Sequence, residues 1–138
     1  MRLTTMPVLA VAACSAFALP ACGSESEKSG ESSEHSVSNA EAVKEIAAVR
    51  AGLDTAVKQL KGGDAKAAEN TVAETYLQHF ELVEGPLEKV DEELNEELEE
   101  AINQELRDKI KSGAKPAVVV KLVDEVKADL DTAESKLK

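Results

Sequence analysis

Tryptophan is absent, and the 138 residues hold only one tyrosine and two phenylalanines. Without aromatic bulk to fill wide gaps, a core must be closed by short side chains on closely approaching elements. Thiols are as scarce: the two cysteines, Cys14 and Cys22, both fall in the first 22 residues. The rest of the chain therefore has no sulfur for a disulfide, a metal or a covalent intermediate. A GxSxG elbow, a phosphate-cradling glycine loop and an HExxH pair are also missing. No two carboxylates are paired in an identifiable cleft, and the inventory reads as that of a non-enzyme. Bases are outnumbered, 16 Lys and Arg against 27 Asp and Glu, for a formal charge of −11. No basic stripe is visible along the chain, which argues against nucleic acid as a partner, since a surface of this sign repels phosphate backbones. Val118-Val119-Val120 is the one β-branched run, and the helical period continues through it, so no strand is expected.

What the chain does have begins with an export-type leader. Arg2 supplies a positive start, and Val8 to Leu19, VLAVAACSAFAL, is an uncharged apolar run of the length found in signal peptides. It is too short to cross a bilayer, which takes about 20 apolar residues. Leu19-Pro20-Ala21-Cys22 follows and resembles the lipobox of bacterial lipoproteins. The resemblance implies cleavage before Cys22, a diacylglycerol thioether on its sulfur, and a palmitate-type acyl anchor. Two acyl chains hold a protein on a membrane where one does not. The other readings of this stretch are an ordinary signal peptide cleaved near Ala21 and an uncleaved helix.

Residues 23–37, GSESEKSGESSEHSV, contain one apolar side chain, Val37. Such a segment cannot bury enough surface to offset chain entropy and is expected to be a disordered tether, with His35 in it. The expected organisation is thus a signal peptide over 1–21, the lipidated Cys22 and tether over 22–37, and one domain over 38–138.

Within that domain the apolar residues recur at helical spacing. Ser38-Asn39-Ala40-Glu41 fits a capping box, and Val43, Ile46, Leu53, Val57 and Leu60 form a stripe that Gly62-Gly63 ends. Asp64 is a natural cap for a second helix carrying Ala68, Val72, Tyr76, Phe80, Val83 and Leu87. Gly85-Pro86 lies inside this pattern and predicts a kink or break there, because proline lacks the amide hydrogen and crowds the preceding turn. A third helix is expected from Asp91 to about Ser112, with Leu94, Leu98, Ala101, Ile102, Leu106 and Ile110 on its apolar face and Gly113 as its stop. Pro116 opens a fourth with Val119, Val123, Val126, Leu130, Ala133 and Leu137. Four amphipathic helices on short connectors predict an all-α, up-down-up-down antiparallel four-helix bundle.

A helical wheel of 100° per residue places His79 between Val72, Tyr76 and Val83, and Glu105 between Leu94, Leu98 and Ala101, both facing inward. An inward imidazole and carboxylate are ligand types used by metal-holding bundles, but the same residues also suit a structural hydrogen bond, His79 to Glu105 or His79 to Tyr76. Glu81, Glu84 and Glu88 share a face if the helix survives Pro86, offering oxygen ligands or simply a solvated acidic face. The acids from Asp91 to Glu100 sit at a helix N-terminus, where the dipole favours them without any ligand.

The segment Tyr76 to Leu87, YLQHFELVEGPL, resembles part of the extracytoplasmic helical domain of bacterial oxidase-dependent iron permeases. The related group comprises periplasmic components of elemental iron-uptake systems, distant kin of imelysin-like proteins. Their helix reads approximately Tyr-Phe-x-x-Phe-Glu-x-x-Glu-x-x-Leu. Tyr76, Phe80, Glu81, Glu84 and Leu87 match it, and Leu77 stands where Phe is usual. Their next helix often ends Leu-Arg-x-x-Ile-x-x-Gly, matched by Leu106, Arg107, Ile110 and Gly113. The likeness covers about 40–137, without the multi-pass permease and its Arg-Glu-x-x-Glu motifs, the imelysin His-x-x-Glu pair or a cupredoxin-like metal site. It implies a bundle at the outer membrane face that serves iron uptake, binding iron or another cation or docking to an iron permease. The candidate metal ligands are His79, Glu81, Glu84 and Glu105. The alternative is a structural or protein-interaction lipoprotein of the cell envelope with no metal. A small-ligand binder is disfavoured by the lack of aromatics, since such pockets are lined by larger apolar groups.

Overall fold

A computed structural model describes residues 37–138. The leader, Cys22 and the expected tether up to Ser36 lie outside the described residues. The described chain is all-α: helices at Asn39–Lys61, at 65–88, at 92–111 and at Pro116–Leu137. Among the described residues there is no strand.

The ends of these helices follow from local chemistry. Ser38 accepts from the Glu41 amide while the Glu41 carboxylate accepts from the Ser38 amide at 2.9 Å, the reciprocal capping box. At the other end Gly63 turns to φ 87°, and the amides of Gly63 and Asp64 donate to the carbonyls of Leu60 and Gln59. Gly113, at φ 72°, repeats the motif after the third helix, with Ala114 donating to Lys109. Asp64 and Asp91 cap the second and third helices by accepting from Ala67 and Leu94.

The second helix does not break at Gly85-Pro86. It runs on to Glu88, with Pro86 buried, and turns only at Lys89-Val90. The reason lies in the pair itself. A residue before proline is pushed out of the helical region by a clash of the ring with its amide and its Cβ, and Gly85 has no Cβ. Pro86 then deprives the helix of a single bond one turn before its end.

Both middle helices contain a π segment, Tyr76–Phe80 and Glu100–Glu105. At their exits the amide of Glu81 donates to the Tyr76 carbonyl and that of Leu106 to the Ala101 carbonyl, each five residues back. The core explains why. In the third helix Leu94, Leu98, Ile102, Leu106 and Ile110 are all buried, an unbroken series of four-residue steps. Each such step overshoots an α turn by about 40°, so four would carry Ile110 nearly to the opposite side from Leu94. One widened turn absorbs the excess. The second helix has the same problem over Ala68, Val72, Tyr76 and Phe80 and the same solution.

Successive helices run antiparallel. Glu45 meets His79 and Gln59 meets Thr71 across the first pair, and Glu69 meets Arg107 across the second and third. Asp91 meets Lys136 across the third and fourth. The first helix also lies against the fourth, where Arg50 forks between Asp131 at 2.6 Å and Glu134 at 2.7 Å, and Lys127 pairs with Asp54. One continuous core of Ala, Val, Leu and Ile runs through all four, with Tyr76 and Phe80 its only aromatic members. The first helix buries Ala42, Val49 and Ala56 on its core face, and Val43 and Val57 are half-buried at the rim. Small residues on that face allow close approach: a Cβ on Gly52 would stand 2.1 Å from Thr75 Oγ1.

Candidate functional site

The π segments decide where the chemistry-bearing side chains point. Because the second helix widens at 76–80, Phe80 takes the core position that an ideal wheel gives to His79. The imidazole is displaced to the interhelical margin, 36% exposed, where Nδ1 lies 2.7 Å from Glu45 Oε2 of the first helix. The expected partners, Glu105 and Tyr76, are not the ones it has. Glu105 departs further from its expected inward position. It closes the π segment of the third helix and is exposed, while Ile102 and Leu106 fill the core around it. It lines a shallow open depression of about 390 Å³ with Glu100, Gln104 and Asp108. The wheel fails at both residues for one reason: it assumes 100° per residue through turns that are wider.

Tyr76 is the polar centre of the second helix. Its ring packs in the core, tilted against Phe80 at a centroid distance of 5.8 Å, and its hydroxyl donates to Glu84 Oε1 at 2.7 Å. Burial first, then the bond to Glu84, pushes the phenol above its ordinary range. The Glu84 carboxyl is raised too, chiefly by burial. The Tyr76 hydrogen bond opposes that shift, and the charges of Glu99, Glu81 and Glu88 add to it. A half-buried carboxylate is thus held by one hydroxyl with three more acids around it. Glu81 is itself exposed. Glu99, from the third helix, was not singled out by sequence, since nothing in its spacing ties it to Tyr76.

Of the four candidate ligands, Glu81 and Glu84 share one neighbourhood, His79 is engaged by Glu45, and Glu105 stands apart. Among the described residues, no three His, Cys, Asp or Glu side chains are arranged to hold a metal ion. Two further groups escape sequence reasoning. Arg107 Nε donates to Glu69 Oε1 at 3.0 Å, joining the third helix to the second, and its Nη1 donates to Asn103 Oδ1 one turn back on its own helix. Asn95 is 8% exposed, and its Oδ1 finds no hydrogen-bond partner. Cys22 lies outside the described residues. Among those described, no helix is long and apolar enough to cross a membrane. No family model, no curated protein and no solved structure matches the chain.

Proposed function

We propose that this chain is a lipid-anchored, extracytoplasmic helical protein that acts as a non-enzymatic interaction module of the cell envelope. The observation that carries the reading is the way its ligand-type side chains are used. His79 is engaged with Glu45, Glu84 with Tyr76 and Glu69 with Arg107, each tying a side chain into the fold rather than converging on a common point. The lipobox-like Leu19-Pro20-Ala21-Cys22 supplies the anchor and with it the location. The cell envelope then needs only an exposed surface from the domain, and that surface is rich in charge.

A second reading, an accessory part in iron uptake, is favoured by the acids that surround the Tyr76–Glu84 pair on the helix that carries the permease resemblance. In this reading the chain delivers iron or docks to a permease.

Titration calorimetry of the unlipidated chain with ferrous, ferric, cupric and zinc ions separates the two. The interaction module gives no saturable heat. Saturable binding that Glu81→Ala/Glu84→Ala or His79→Ala abolishes would reverse the preference. Mass spectrometry of Cys22 from the native host tests the anchor independently; an unmodified thiol there removes it.

A further inference from the structure

The chain is acidic as a whole, yet the fold separates its charge along the bundle axis. One end gathers the C-termini of the first and third helices and the N-termini of the second and fourth. Lys58, Lys61, Lys66, Lys109 and Lys115 come together there from four separate stretches of sequence, all exposed and none with an ion-pair partner among the described residues. Arg107, Lys111 and Lys121 add to them, although Glu69 pairs with Arg107 and Lys111 and Glu125 with Lys121; Asp64 and Asp108 lie at the same end, and Glu105 lines the depression that Lys109 also borders. The opposite end carries Glu41, the acids around Glu84, the run from Asp91 to Glu100, and Glu134, against the fewer bases Lys44, Lys89, Lys136 and Lys138, of which Lys136 pairs with Asp91 and Lys138 with Glu134.

Helix stability accounts for only part of this placement. Cations favour helix C-termini and anions N-termini. That logic suits the first and third helices, with Lys58 and Lys61 or Lys109 and Lys111 in their last turns. It covers the other two only in part: Asp64 caps the second and Lys136 lies in the last turn of the fourth, but neither has an acid in its first turn, and the second ends on Glu84 and Glu88 without a base in its last turn. The basic end also exposes apolar surface: Val118 is 48% exposed, beside the exposed Pro116 and Ala117 and between Lys115 and Lys121. Lysines interleaved with a small apolar wedge are the pattern of surfaces that rest on anionic lipid headgroups.

We infer that the lysine-rich end of the bundle docks on anionic phospholipid of the membrane that holds the anchor, turning the acidic end outward. The inference rests on the anchored reading above, and the lengths permit it. The first helix starts at the acidic end, and its 23 residues span about 35 Å. The stretch from Cys22 to Val37 has a contour of at most about 50 Å, longer than that helix. With the basic end down, the acids stand several Debye lengths from the lipid, a length of about 8 Å at physiological ionic strength, so their repulsion is screened.

The test uses the mature chain from residue 22 with Cys22→Ser, so that no acyl chain contributes, in cosedimentation with phosphatidylglycerol-containing and pure phosphatidylcholine vesicles. Pelleting with the anionic vesicles alone is expected, weakened ~tenfold or more by raising salt from low to near-physiological strength. Lys58→Gln/Lys61→Gln/Lys66→Gln/Lys109→Gln/Lys115→Gln abolishes it with the helical circular dichroism unchanged, whereas Glu92→Gln/Glu93→Gln/Glu96→Gln does not weaken it. Absence of pelleting at low salt, or pelleting that the five lysine changes leave intact, overturns the inference. So does binding of soluble polyphosphate without any binding to vesicles. Vesicle binding by this chain together with a free Cys22 thiol in the native host would keep the lipid contact and sink the anchor, so the two failures are distinguishable.

Discussion

Tyr76 and Glu84 hold the least comfortable charge in the described chain. The folded-state pKa of Glu84 is raised, so the native state binds its proton more tightly than the unfolded state does. Its contribution therefore worsens as pH rises from the ordinary carboxylate range through the raised value, the reverse of Glu69, which Arg107 lowers and whose support is lost as pH falls. Glu84→Gln keeps an acceptor for the Tyr76 hydroxyl and removes the charge. We expect it to raise stability at neutral pH by less than ~1 kcal/mol after solvent screening, with the gap closing in acid, as read from thermal melts across pH. Gly52 is the other residue with a sharp expectation. Alanine there gains helix propensity but drives its Cβ into Thr75. The steric term wins, and Gly52→Ala should cost about 1–3 kcal/mol by chemical denaturation. Adding Thr75→Ala should recover part of that loss, because it removes the two nearest atoms.

Helices two and three are each one residue too long for an α register that keeps their apolar residues in one core, and the π turns take up the excess. Deleting the exposed Gln78 should therefore convert the first π turn to α while Phe80, Val83 and Leu87 keep their core positions. Deleting the equally exposed Asn70, in a purely α stretch, rotates everything before it by about 100° and should abolish cooperative melting. Near-equal losses from the two deletions would mean that the widened turn is not what sets the register. The four-residue steps that demand the π turns stand in the sequence, at Leu94, Leu98, Ile102, Leu106 and Ile110. They were readable as a period of four, but a wheel drawn at 3.6 hides them, and that choice misplaced His79 and Glu105. The helix ends set by Ser38, Asp64 and Gly113 were legible, because those residues act within one turn of themselves. Pro86 predicts a kink or a break, and that the helix does not break follows from the missing Cβ of Gly85.

Charge at the scale of the whole molecule is a matter of arrangement as well as amount. The crowded acids of one end repel each other in the folded state, and exposed ion pairs such as Lys121–Glu125 contribute little against them. Salt screens both, and the repulsion is the larger quantity. The melting temperature should therefore rise as NaCl goes from low to near-physiological strength, and a fall would show that the interhelical pairs around Arg50 and Arg107 dominate.

By itself the sequence determined the all-α class, most of the helix limits and most of the core, because periodicity and capping act over one or two turns. The placement of side chains around the two π turns was decided by packing, since a helix adopts a strained turn only when neighbouring helices reward the register it gives. The gathering of lysines from four distant segments at one end was decided by topology, because charge adds up in space and a linear chain shows only its total.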